Sequence, residues 1–118
     1  MDRLARMSLV SVEGVTVARI DGDIDISNAQ ELGDALIASM SNDSLGLVLD
    51  LTPLDYLDSS GVHLVFDLAE RLTARQQRLA LALPADSRIR RVLDLVNVEA
   101  VIPVRTAVDD AVAVARGM

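Results

Sequence analysis

The sequence contains no cysteine, no lysine and no tryptophan, and only one tyrosine and one phenylalanine among its 118 residues. Without cysteine there are no disulfides, thiolate metal ligands or thiol nucleophiles, and cysteine usage leaves no trace of a redox compartment. Without lysine there is no Schiff base, no Walker A loop, and nothing of that type to neutralise a phosphoryl group on an aspartate. All 11 basic side chains are arginines. Aromatics at 2% leave few surfaces on which bases or sugars could stack. Long apolar runs are missing as well: the opening MDRLARMSLV lacks the apolar core of a signal peptide, and nothing approaches the ~18 residues that span a bilayer. A cytoplasmic protein without membrane insertion is expected. The formal net charge of -7 argues against nucleic acid, which a phosphate-neutralising basic patch would have to hold. An acidic surface suits a basic patch on a protein partner.

What is present is aliphatic. Hydrophobic residues make up 51%, enough for one core, so residues 1–118 are expected to form a single domain with residues 1–6 as a tail. Leu9 to Val12 and Val15 to Ile20 alternate around Glu13-Gly14 and predict a tight hairpin, with DGDID as the exit from its second strand. Ser27 stands three before Gln30, a capping-box spacing, and Leu32, Ala35, Leu36 and Met40 recur on one face, predicting a helix from Asn28 to about Met40. LGLVLDL, 45–51, is the continuous apolar run of a strand buried on both faces.

A loop after Thr52-Pro53 leads to a helix beginning at Ser59 and Ser60, with Val62, Val65, Phe66, Ala69 and Leu72 inward and His63, Asp67, Glu70 and Arg71 solvated. RLALAL, 78–83, predicts a strand, Ser87 caps a helix carrying Ile89, Val92, Leu93 and Val96, and Asn97 is a left-handed stop. AVIPV predicts a last edge strand, and Thr106 with Asp109 starts a final helix to about Arg116. The expected fold is α/β: a mixed sheet of four to five strands, an N-terminal antiparallel hairpin followed by parallel strands, and about four helices.

Three constellations invite a chemical reading. Asp21, Asp23 and Asp25 open like a calcium loop, but Ile26 and Leu32 stand where that loop needs glycine and glutamate. Ser59, His63 and Asp67 share a helix face at i, i+4, i+8, yet Leu57 replaces the first glycine of a nucleophile elbow. No catalytic, metal or cofactor residue is therefore assigned, and no intrinsic turnover is expected. Ser60 has two readings. It can cap the helix, the role serine favours at that place. The other reading is an accessible phosphate acceptor beside Gly61, which has no side chain to obstruct an approaching active site, and where first-turn N–H groups would welcome the phosphate.

VLDLTPLDYLDSSGVHLVFDLAERL, 48–72, resembles the signature region of STAS-domain anti-sigma factor antagonists, in which Asp-Ser-Ser-Gly joins a strand to a helix. IDGDIDISNAQELGDAL, 20–36, and RIRRVLDLVNVEAVIPV, 88–104, are similar to two further stretches of that family. The resemblance implies a non-enzymatic switch. It would bind an anti-sigma factor that is also an ATP-dependent serine kinase and displace the sigma factor. Phosphorylation of Ser60, with Ser59 as second choice, would inactivate it, and a Ser/Thr phosphatase would restore it. It further implies partner-binding residues Asp25, Asn28, Asp58, Ser59, Gly61 and His63, and a monomer or weak dimer. The alternative is a STAS-type binding or scaffold module of a stress-signalling or lipid-transport assembly. Two positions depart from the family pattern: His63, where many members have a small residue, and Asn97, where glycine is usual.

Overall fold

The computed structural model describes residues 5–117. β1 (Arg6–Val12) pairs antiparallel with β2 (Val15–Ile24) in unbroken register from Arg6 opposite Asp21 to Val12 opposite Val15. The turn residues Glu13 and Gly14 both have positive φ, 51° and 85°, the handedness that lets a two-residue turn follow strand twist. The hairpin is longer than the apolar alternation indicates. Of the tail expected over 1–6, Arg6 is already strand and Ala5 packs against the core, while 1–4 lie outside the described residues. The DGDID stretch is likewise not an exit: β2 runs through it to Ile24, passing Gly22 at φ 95°. Glycine adopts that angle without a Cβ penalty.

Among the described residues the sheet has six strands instead of four or five. β3 (Gly46–Asp50) lies parallel to the first half of β2, β5 (Arg78–Ala82) follows β3, and β6 (Val104–Arg105) forms the far edge. The additional strand is β4 (Leu54–Leu57), in the segment expected to be loop, and it pairs parallel with the second half of β2 beyond the end of β3. The register shifts between Gly22, opposite Leu54, and Asp23, opposite Tyr56, and β4 is buried only at its two ends. Such a bulge erases the period-2 pattern by which a strand is recognised.

Strand alternation divides the core in two. Leu47, Leu49, Leu79 and Leu81 face a large aliphatic core shared with α1 (Ala29–Ser39), α2 (Ser59–Ala74) and α3 (Arg88–Leu95). Val48, Ala80 and Ala82 point the other way, against Ala111, Val112 and Ala115 of α4 (Val108–Ala115). Small residues bring α4 close: a Cβ on Gly46 would lie 2.5 Å from the Arg78 carbonyl oxygen and 2.8 Å from that of Ala115. The inward face of α2 is Gly61, Leu64, Val65, Leu68 and Leu72, with Val62, Phe66 and Ala69 only partly buried. The stripe is thus rotated from the expected one, because α2 is covered by α1 on one flank as well as by the sheet beneath. In α1, Ala35 is exposed and Ala29 and Gly33 are buried in its place.

Helix ends show the same mixture. Ser87 caps α3, accepting the Arg90 N–H at 2.8 Å, and Asn97 is left-handed at φ 56°, both as expected. Thr106 does not cap α4, whose N-cap is Ala107 without a side-chain bond. Nor does Ser27 form a capping box for α1.

Candidate functional site

β2 and β4 end side by side, and α1 and α2 begin there, so two helix N-termini and their lead-in turns share one end of the molecule. The Asp58 N–H donates to the Ile24 carbonyl at 3.3 Å and ties the two junctions together.

The β2–α1 turn is built by its own polar groups. The Ser27 N–H and hydroxyl both donate to Asp25 Oδ1, the former at 2.8 Å. The Asp25 N–H donates to Asn28 Oδ1 at 2.9 Å, and Asn28 Nδ2 donates to the Asp23 carbonyl at 2.9 Å. Asp25 therefore holds the turn through Oδ1 and its N–H, and Asn28 through both ends of its amide. Asp21 is paired with Arg6 at 3.4 Å, and among the described residues no group of three or more His, Asp or Glu is gathered to hold a metal.

At the second junction Asp58, not a serine, is the N-cap. Its Oδ1 accepts the Ser60 N–H at 2.8 Å and the Gly61 N–H at 3.1 Å. Ser59 and Ser60 are the first two residues of α2, Ser59 exposed and Ser60 half-buried. This corrects two expectations. Ser60 is not the cap, and the N–H groups pictured as open to a phosphate on Ser60 already serve Asp58. Gly61 also has a reason other than access: it is buried, and a Cβ there would lie 2.2 Å from Leu57 Cδ1 and 3.1 Å from Ile24 Cγ2. Its lack of a side chain lets α2 sit on the ends of β2 and β4.

Between α1 and α2 runs an open groove of about 520 Å³ lined by Ser59, Ser60, His63, Asp67 and Arg71 from one helix and Gln30 and Asp34 from the other. Gly33 and Leu64 form its floor, and a Cβ on Gly33 would lie 2.5 Å from Leu64 Cδ1, so glycine sets how near the helices come. Arg71 spans the groove, 3.2 Å from Asp34 and 3.6 Å from Asp67. Asp67 thus pairs with an arginine instead of orienting His63, which is exposed. Ser59, His63 and Asp67 do share one face, but as groove wall. Ile26, outside the expected set, stands exposed at the groove's mouth. An isoleucine within an otherwise polar turn is the one sign of it in the sequence.

No helix among the described residues is long and apolar enough to cross a membrane. The family model described as STAS domain matches residues 6–111. A protein of Bordetella bronchiseptica named as a candidate anti-sigma factor antagonist, BtrV, is 27% identical over 108 residues, 92% of each chain. Among solved structures, an anti-sigma factor antagonist from Mycobacterium paratuberculosis superimposes with a TM-score of 0.84 at 23% identity, covering 98% of this chain and 97% of that one. The anti-sigma factor antagonist SpoIIAA in its unphosphorylated form gives 0.70 at 20% identity, covering 96% and 98%. At these identities the structural likeness is one of fold. The family match spans nearly all of β1 through α4: the chain belongs to the STAS domain family.

Proposed function

We propose that the chain is an anti-sigma factor antagonist working by partner switching. Unphosphorylated, it docks through the α1–α2 groove onto an anti-sigma factor that is also an ATP-dependent serine kinase, and so frees the sigma factor. Phosphorylation of Ser60 ends the complex, and a Ser/Thr phosphatase restores it. The chain is a substrate in this cycle and performs no catalysis itself.

The carrying observation is the position of Ser60 on the groove in a helix whose cap is Asp58. Its hydroxyl is not needed to terminate α2, which leaves it available as an acceptor. Ser59, on the same turn, is the second choice, and His63 borders both from one turn further along α2. The names carried by BtrV and the M. paratuberculosis protein support the reading, as does SpoIIAA, whose structure is known in an unphosphorylated and a phosphorylated form.

Release follows from charge. To be phosphorylated, Ser60 must meet the terminal phosphate of ATP in line, so its product faces the nucleotide left behind. Phosphoserine brings about -1.5 to -2 charges to that contact, and like charges across an interface can cost about 2.8 kcal/mol, a hundredfold in affinity.

The test is co-elution with each anti-sigma factor kinase of the host, purified singly, with and without ATP. Wild type is released on adding ATP. Ser60→Ala stays bound, Ser60→Asp is folded but binds poorly, and Ser59→Ala is still phosphorylated. ATP-dependent release of Ser60→Ala equal to wild type refutes the acceptor assignment.

A further inference from the structure

Ile26 is 83% exposed, although it is a large aliphatic residue in a protein that buries most of its isoleucine and leucine. A single exposed aliphatic side chain is ordinary on a protein surface. Three features set this one apart.

It is held rigidly. The bonds of Asp25, Ser27 and Asn28 close the turn on both sides of it, and the Asn28 and Ala29 N–H groups both donate to the Asp25 carbonyl. Little ordering remains for a partner to impose, which favours binding through this residue.

It stands in a shared wall. Ile26 lines the groove that holds Ser59, Ser60 and His63 and also a second, smaller depression that includes Ser27 and Glu31, and the two share Ile26, Gln30 and Asp34 as a common wall. A surface that fits both depressions must close over that wall, in which Ile26 is the large apolar side chain.

The rim is acidic. Glu31 and Asp34 line the smaller depression with Ile26, Asp34 and Asp67 line the groove, and the arginine there, Arg71, is already paired with Asp34 and Asp67.

We propose that Ile26 is the apolar anchor of the docking face, and that it fits a partner protein offering an apolar socket bordered by arginine or lysine. The inference rests on the groove being the docking face of the proposed function, and it names a contact within it. An anionic lipid surface or nucleic acid is repelled by this rim. A second copy of the chain would set one acidic rim against another, since a two-fold interface meets itself. The socket's basic border faces Glu31 and Asp34 on α1, whereas Ser60 lies on α2, so attraction at the rim and repulsion of a phosphorylated Ser60 by nucleotide are compatible.

The experiment measures binding of the same purified anti-sigma factor kinases, with ADP present, to wild type, Ile26→Ala, Ile26→Asp, Glu31→Arg and Ser60→Asp, with thermal unfolding of each variant. Ile26→Ala is expected to weaken binding at least about ten-fold without shifting unfolding, and Ile26→Asp more, because a carboxylate must enter the apolar socket. Glu31→Arg slows association and lessens its dependence on salt. Binding of Ile26→Ala within about twofold of wild type, while Ser60→Asp binds poorly, overturns the anchor and leaves the Ser60 switch standing. Wild-type affinity for Ser60→Asp with a weakened Ile26→Ala does the reverse, supporting the anchor and removing the switch.

Discussion

The carboxylate of Asp58 accepts the backbone N–H of Ser60 at 2.8 Å, so the anion site at the start of α2 is filled by the protein itself. A negative charge added to Ser60 must then share the first turn with Asp58. By itself the helix dipole favours an anion there by about 0.3 to 1 kcal/mol, but a like charge nearby subtracts a similar amount. Ser60→Asp is therefore less favourable with Asp58 present than in an Asp58→Ala background, with a coupling of about 0.5 to 1 kcal/mol. Urea denaturation of the two single variants and the double variant measures it. Strict additivity would mean that Asp58 does not sense charge at position 60.

The same geometry separates cap from acceptor by stability alone. Asp58→Ala removes the bonds to both first-turn N–H groups and costs about 1 kcal/mol, whereas Asp58→Asn, another good cap, retains most of that. Ser60→Ala changes stability by less than about 0.5 kcal/mol, since the cap is elsewhere. Equal losses for Ser60→Ala and Asp58→Ala in chemical denaturation would return the capping role to the serine.

Two glycines respond differently to alanine. At Gly46 the new Cβ meets backbone carbonyls of β5 and α4, 2.5 and 2.8 Å away, which cannot rotate aside. The expected loss is about 3 kcal/mol. At Gly61 the obstacle is the end of the Leu57 side chain, 2.2 Å away but able to change rotamer, and alanine regains about 1 kcal/mol of helix propensity. The net loss there is about 1 kcal/mol. Midpoints in urea rank the two, and a Gly61→Ala variant more damaged than Gly46→Ala would contradict the packing described.

Asn97, where the family usually has glycine, holds φ 56° and ψ 46° at the end of α3. Asparagine tolerates that region because its short polar side chain bonds locally. Asn97→Gly leaves thermal stability unchanged or slightly raised, whereas Asn97→Val, with a branched side chain forced to positive φ, costs about 1 to 2 kcal/mol. A neutral Asn97→Val in calorimetry would show that the turn re-forms with another backbone.

Local chemistry written in the sequence was enough for much of the fold. Glu13-Gly14 determined its hairpin turn, Ser87 and Asn97 the two ends of α3, and the run from Leu45 to Leu51 a central strand, because each depends on backbone geometry or burial that neighbouring residues dictate. Asp-Ser-Ser-Gly likewise marked the strand-to-helix junction. Only the tertiary structure decided what its members do there. Asp58 became the cap and Gly61 a packing residue, since the first answers to the direction of two N–H groups and the second to Leu57 and Ile24. β4 was hidden because its existence depends on a partner strand, 30-odd residues earlier, that continues past β3 and bulges at Gly22/Asp23. The rotation of α2 was hidden because α1 covers one flank, an arrangement no periodicity within α2 encodes. Ile26 belongs with these: composition makes it one more isoleucine, and only the packing of two helices beneath a rigid turn leaves it standing in water beside Ser60.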